Sequence, residues 1–189
     1  MAESTVRCFL AIELSDTLKN EACRFVKKIQ ARYSAFRFIP PDNWHLTLHF
    51  LGQVEAEKIE ELSSRVSRAL ENVEPFSIFL EGFGVFPNWH QPRILWIGVS
   101  GDIPQLSVLK KQLDQVLQKM HFEIEARLFH PHITVARSKT RVPRLSLDLN
   151  PQFKSCAVDQ VRHVVLFKST LSPQGTQYAP VRTFPFGNS

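Results

Sequence analysis

Two stretches of this chain repeat one pattern on two apolar segments: His45-Leu46-Thr47-Leu48 and His132-Ile133-Thr134-Val135, 132 − 45 = 87 residues apart. Their surroundings repeat as well. RCFLAIEL at 7–14, a helical pattern and the strand carrying His45 are matched by RILWIGVS at 93–100, a helical pattern and the strand carrying His132. Arg7 precedes His45 by 45 − 7 = 38 residues, and Arg93 precedes His132 by 132 − 93 = 39. That near-equality predicts a diverged internal repeat, each half a strand, a crossover helix and a returning strand. Duplicated halves of this kind face each other, and sites form in the cleft between them.

Local signals fill in the elements. Residues 5–14 are short, apolar and rich in β-formers, which predicts a buried strand. Ser15 offers an N-cap to a helix whose apolar face holds Leu18, Ala22, Phe25, Val26 and Ile29. FRFIPPDN predicts a short strand broken at Pro40-Pro41, and WHLTLHFL the next strand, ended by Gly52. A second amphipathic helix runs through Ile59, Leu62, Val66 and Leu70. Residues 75–100 divide into two strands around a Pro/Asn turn. Asp102 and Pro104 then open a helix with Leu106, Leu109, Leu113, Val116 and Leu117 on one face. ARLFHPHITVAR reads as a strand, and the tail as QVRHVVLFKST, a turn at Ser172-Pro173-Gln174-Gly175 and a last strand near 177–184.

With 189 residues, 43% of them hydrophobic, the chain can bury a real core, and a single domain over 1–189 built of two intertwined, pseudo-symmetric lobes is expected. No apolar run approaches the roughly 20 residues of a membrane span. MAESTVRCFLAIEL lacks the order of a signal peptide. The cysteines Cys8, Cys23 and Cys156 are scattered without a CxxC pair, so neither a disulfide framework nor a cysteine-rich zinc site is expected, and a cytoplasmic monomer is. The net charge of +5 and pI near 9.3 fit a polyanionic partner but also an ordinary solubilising surface. The run Arg137 to Arg144 is more pointed, with four basic residues and no acidic ones.

On a strand alternate side chains share a face, so each pattern presents an imidazole and a hydroxyl together, about 6.5–7 Å apart at Cα. Two such pairs across a groove supply two acid/base groups and two hydroxyl donors. Imidazole titrates near 6.5, so one ring can donate a proton while the other accepts one. A phosphodiester suits that arrangement, with one His activating water and the other protonating the leaving alkoxide. A single strand His is ordinarily structural, but two matched patterns are not so easily dismissed. A zinc site is the rival, because alternation pairs His130 with His132 and His45 with His49. No Asp or Glu lies within either pattern to support it, and neither a nucleophile elbow nor a Gly-rich phosphate loop is present.

These residues resemble the 2H phosphoesterase superfamily, defined by two HxTx motifs, and within it the RNA 2′,3′-cyclic phosphodiesterases also called 2′-5′ RNA ligases. The likeness spans RCFLAIEL, HLTLHFLG, RILWIGV, FHPHITVAR and the tail SPQGTQYAPVRTFPF. It implies a bilobal α+β fold, an antiparallel sheet with outer helices in each lobe and the histidines in the central cleft. It also implies cofactor-free, metal-independent opening of a terminal 2′,3′-cyclic phosphate to a 2′-phosphate, on RNA ends or nucleotides. By that resemblance His45 is the proton donor and His132 the proton acceptor, while Thr47, Thr134 and Arg137 hold the phosphate. Alternation puts Arg137 on the wrong face for this, so a strand end or bulge is needed. Two other readings stay open: ligation to a 2′-5′ linkage, and a non-catalytic module binding RNA ends or nucleotides. Phe9, Trp44 and Trp96 are candidates to stack a base, with core packing the ordinary alternative. His130 and His49 share the expected cleft-facing parity.

Overall fold

The computed structural model describes residues 5–138, 152–172 and 175–187. Nine strands form one antiparallel sheet in the spatial order β7-β4-β5-β6-β3-β1-β8-β9, with β2 beside β6. The strands are β1 (Thr5–Glu13), β2 (Arg37–Phe38), β3 (His45–Glu55), β4 (Phe76–Phe86), β5 (Ile94–Gly101), β6 (His132–Arg137), β7 (Asp159–Val161), β8 (His163–Ser172) and β9 (Gly175–Pro185). The order is palindromic about β6 and β3. β5 lies beside β6 as β1 lies beside β3, and β4 and β7 are matched outward by β8 and β9. The expected α+β class holds. The two half-sheets are not separate, however: a register pair between Leu46 and Ile133 joins them. Both side chains are fully buried, and truncating either to Ala there should cost about 2–5 kcal/mol.

The helices are α1 (Asp16–Gln30), α2 (Lys58–Leu70) and α3 (Ile103–Lys119). Each forms where an apolar stripe needs covering. Ser15 caps α1, its hydroxyl accepting from the Leu18 N–H at 3.2 Å, and Leu18, Ala22, Phe25, Val26 and Ile29 are all buried. Leu106, Leu109, Leu113 and Leu117 do the same for α3, and Leu62, Val66 and Leu70 for α2. α1 reaches across to β4, where Phe25 meets Phe83 edge-on at 5.8 Å, while α3 approaches β3 through Asp114 and His49. The crossover helices therefore tie the halves together. The sheet face they cover carries the main core, with Leu10, Ile12, Leu46, Leu48, Ile133 and Val135 in it.

The opposite face holds a small buried cluster, Phe9, Ala11, Val165 and Phe167 with Tyr178 against it. Among the described residues, no helix is long and apolar enough to cross a membrane.

Two expected boundaries move. β3 does not end at Gly52 but continues to Glu55: Gly52 takes φ 69° yet pairs with Cys8, and pairing with β1 runs on through Gln53, Val54 and Glu55. ARLFHP is not strand: β6 begins at His132, and the residues before it are irregular. The expected turn at 172–175 keeps a Ser172–Gly175 register pair, but Pro173 and Gln174 lie outside the described residues.

Candidate active site

Both motif histidines open their strands, His45 in β3 and His132 in β6. Their ring environments are built alike. His45 Nδ1 lies 2.8 Å from the Asn43 carbonyl, and His132 Nδ1 lies 2.7 Å from the His130 carbonyl, in each case two residues upstream. A carbonyl can only accept, so each Nδ1 carries the hydrogen, and Nε2 is left as the basic nitrogen of the neutral ring. The residues supplying these carbonyls are held by local structure. Asn43 ends a 3₁₀ turn opened by Pro41, and Pro131 follows His130.

The Leu46–Ile133 pair brings the motifs together. Because Leu46 and Ile133 both point into the core, their neighbours point to the helix-free face. Antiparallel register then sets Thr47 opposite His132 and His45 opposite Thr134. The four side chains form a diamond with histidines on one diagonal and threonines on the other, and diagonal neighbours of this kind are about 7–8 Å apart. All four are half-buried, as a site open to a ligand must be.

Arg137 joins them through a bulge. β5 pairs Leu95 with Ala136 but Trp96 with Thr134, leaving Val135 as the extra residue. Val135 and Ala136 are consecutively buried, so parity flips and exposed Arg137 returns to the face of His132 and Thr134. Its charge is felt by both imidazoles. β3 bends in the same way. β1 pairs Ala11 with Thr47 but Leu10 with His49, leaving Leu48 as the extra residue. His49 is thereby sent into the core instead of the cleft. It is 5% exposed, with Nδ1 3.3 Å from Asp114 Oδ1 and Nε2 3.1 Å from the Glu123 carbonyl. The expected cleft-facing parity of His49 is therefore wrong, and the His45/His49 pair of the zinc alternative does not form. His130 does lie beside His132, with ring centroids 6.2 Å apart, and its ring packs on Trp96 at 4.6 Å.

The aromatic candidates separate. Trp44 is core, with Nε1 donating to the Ile39 carbonyl at 3.0 Å. Phe9 is buried on the helix-free face, 4.7 Å from the His45 ring, and Tyr178 meets His45 edge-on at 5.1 Å. Trp96 and Phe86 stand against His132 at 6.2 and 5.0 Å. Trp96 lies over Gly84, where an added Cβ would clash with the ring. Tyr178 carried no motif to mark it, since its place depends on a distant hairpin folding back. Of the basic run after the second motif, Arg137 and Ser138 are described, and 139–144 lie outside the described residues.

Burial under these rings disfavours the charged imidazole. His45 is pushed down to about 4, by desolvation first, opposed by the Asn43 carbonyl and reinforced by Arg137, Lys19 and His132. His132 is lowered too, by desolvation first, then by His130 and Arg137, against the His130 carbonyl and Glu125. Both rings are thus neutral at pH 7 until negative charge arrives. Two neutral imidazoles, two hydroxyls and a guanidinium around one small volume can receive an oxyanion and move protons on either side of it.

A family model described as LigT like Phosphoesterase matches residues 12–96 and again residues 97–178. A Methanothermobacter thermautotrophicus protein named RNA 2′,3′-cyclic phosphodiesterase is 34% identical over 182 residues, 95% of this chain and 98% of that one. A Thermotoga maritima protein of the same name is 32% identical over 176 residues, covering 92% and 91%. Among solved structures, E. coli LigT complexed with 3′-AMP superposes with a TM-score of 0.81 at 25% identity, over 98% of this chain and all of that one. The same protein has been solved with phosphate, NADP+ and ATP. The chain belongs to the LigT-like, or 2H, phosphoesterase family. It is an enzyme of the cyclic phosphodiesterase class.

Proposed function

We propose that this protein hydrolyses the terminal 2′,3′-cyclic phosphate of RNA to a 2′-phosphomonoester, without a metal, by paired histidine catalysis. The observation that carries the reading is the diamond of His45, Thr47, His132 and Thr134, each imidazole held through Nδ1 by an upstream carbonyl. In the reaction His132 takes a proton from water through Nε2 as the water oxygen attacks phosphorus. The P–O3′ bond breaks in line, and His45 delivers a proton to the departing 3′ oxygen. Thr47 and Thr134 donate to the non-bridging oxygens, and Arg137 pairs with the charge that builds on them. The phosphate anion also solves the protonation problem. It raises the pKa of the imidazoles beside it, so His45 acquires its proton when substrate binds.

The names of the relatives supply the substrate class, and the nucleotide complexes of E. coli LigT agree with it. Ligation is the same ring opening with a 5′-hydroxyl in place of water as nucleophile, and water at its bulk concentration favours hydrolysis. Chromatography against authentic 2′- and 3′-phosphate standards, after reaction of a defined RNA ending in a 2′,3′-cyclic phosphate with EDTA present, should show only the 2′-phosphate product. A 3′-phosphate product, or activity lost to EDTA and restored by zinc, would overturn the mechanism.

A further inference from the structure

The two motif rings are aimed by carbonyls that are held in different ways. In the second half the carbonyl belongs to His130, whose ring packs on Trp96 at 4.6 Å. The next residue, Pro131, is seated in the sheet, its carbonyl accepting from the Val99 N–H at 3.0 Å. In the first half the carbonyl belongs to Asn43, at the end of a 3₁₀ turn that precedes β3. That turn's main-chain bonds are short-range: the Asn43 N–H donates to Pro40 at 2.9 Å and the Trp44 N–H to Pro41 at 3.0 Å. A tie from far along the chain comes from the β8–β9 hairpin. The hairpin runs on past Cys8–Lys168, where pairing of β8 with β1 ends. Its second strand lays Tyr178 edge-on against His45 at 5.1 Å, and two residues earlier the Thr176 carbonyl accepts from Asn43 Nδ2 at 2.9 Å. Arg37, at the start of the segment leading to His45, closes on the same end of the hairpin: a Cβ on Gly175 would lie 3.2 Å from its Nη2.

We propose that Asn43 is a positioning residue for the general acid: its side-chain amide, bonded to Thr176, fixes the turn whose carbonyl aims the His45 ring at the leaving oxygen. The inference rests on the catalytic reading above. A carbonyl only accepts, so the tie needs the amide N–H, and a carboxylate of the same shape would meet the Thr176 carbonyl with lone pairs alone. One residue thus joins hairpin to ring, through its side chain on one side and its main chain on the other. Without the amide the turn loses that tie, and the carbonyl that anchors His45 Nδ1 is free to drift. Proton transfer tolerates little of this, since a displacement of about 1 Å costs on the order of 100-fold. His132 has no such dependence, because the carbonyl that anchors it adjoins a residue bonded into the sheet. The hairpin therefore governs the acid and leaves the base alone.

The test is a double-mutant cycle on adenosine 2′,3′-cyclic phosphate. Asn43→Ala, and Asn43→Asp, which keeps the shape but not the donor, should each lower kcat roughly 10- to 100-fold with KM changed much less. Circular dichroism verifies that each variant keeps the fold. In a His45→Ala background the same substitutions should change kcat by no more than a few-fold, because the ring they aim is gone. A loss as large in that background as in the wild type would mean a general structural role and overturn the proposal. So would wild-type kcat in Asn43→Asp. Full activity of His45→Ala would instead sink the catalytic reading, and the positioning then stands or falls on nitrogen NMR of the His45 ring. An Nδ1–H signal that is protected in the wild type and lost to exchange in Asn43→Ala supports the tie, and a signal unaltered by the substitution refutes it.

Discussion

The His45 half and the His132 half of the site are built on one plan and finished differently. In both, the histidine opens a strand, its Nδ1 meets the carbonyl two residues back, and a bulge falls three residues on. These shared features fix ring tautomer and aim, which any acid/base pair requires. The finish differs in the company each ring keeps. Both rings feel Arg137, but His45 is packed by Phe9, Phe167 and Tyr178 and feels Lys19, whereas His132 sits against Trp96, Phe86 and a second imidazole and feels Glu125. The plan sets what the site can do. The finish decides which ring does which part.

The largest effect should come from breaking the plan itself. His45→Ala and His132→Ala should each lower kcat by ~10²–10⁴-fold in hydrolysis of a cyclic phosphate. The double variant should lose less than the product of the two, because the rings act as a unit. The finish is then exposed by an ester with an activated leaving group, which departs without a proton. His45→Ala should regain much of its rate on that substrate and His132→Ala should not. Rescue of His132→Ala instead would exchange the roles of the two halves.

Next come the groups proposed to hold phosphate. Thr47→Ala and Thr134→Ala should each cost roughly 1–3 kcal/mol of transition-state binding, read as kcat/KM. Arg137→Ala should lie at the upper end of that range, and Arg137→Lys should recover only part, since an ammonium is a point charge without the planar fork. An Arg137→Ala enzyme with unchanged kcat/KM would mean that the bulge at Val135 brings the side chain to the face without bringing it to the phosphate.

A smaller effect concerns protons. His45 is pushed down to about 4 against 6.5 for a free imidazole, so it is neutral at pH 7. A bound phosphate raises that value, so binding takes up proton, and affinity for adenosine 2′-phosphate should rise as pH falls from 8 toward 5. Calorimetry at pH 7 in two buffers of different ionisation enthalpy should give a positive uptake that diminishes in His45→Ala. By the same sign, the kcat/KM profile of the free enzyme should peak on the acid side of the kcat profile. Coincident profiles would mean that the rings are not retuned by the anion.

Much of this was legible before any coordinates. The motifs, their spacing, the Ser15 cap and the apolar faces of all three helices follow from period and residue type alone. The bulges were not. Leu48 and Val135 are ordinary strand residues, and nothing in their chemistry marks either as the one left unpaired. Simple alternation therefore put His49 in the cleft and left Arg137 needing a correction whose presence only register reveals. Trp44 had the same opacity. Its burial depends on the 39–44 turn closing under it, a contact between neighbours that composition does not encode.

His49 offers the smallest expected change in rate and the sharpest check on the two bulges. It occupies the fourth position after its motif histidine, as Ala136 does in the other half, and both are buried. In the first half that core position is polar: the ring bridges Asp114 of α3 and the Glu123 carbonyl, and Lys110 completes the cluster through Asp114. Replacing His49 by Ala removes the ring's contacts to the Glu123 carbonyl and to Asp114, which keeps Lys110, a loss of about 1–3 kcal/mol in folding stability. The ring's pKa is lowered, by desolvation first, with Lys110 acting in the same direction against Asp114. Buried away from the cleft, the ring is not the proton source for the reaction. Chemical denaturation of His49→Ala should show the stability loss, while kcat at a temperature where the variant stays folded should remain within several-fold of wild type. A collapse of kcat to the level of His45→Ala, with stability intact, would return His49 to the cleft and contradict the bulge at Leu48.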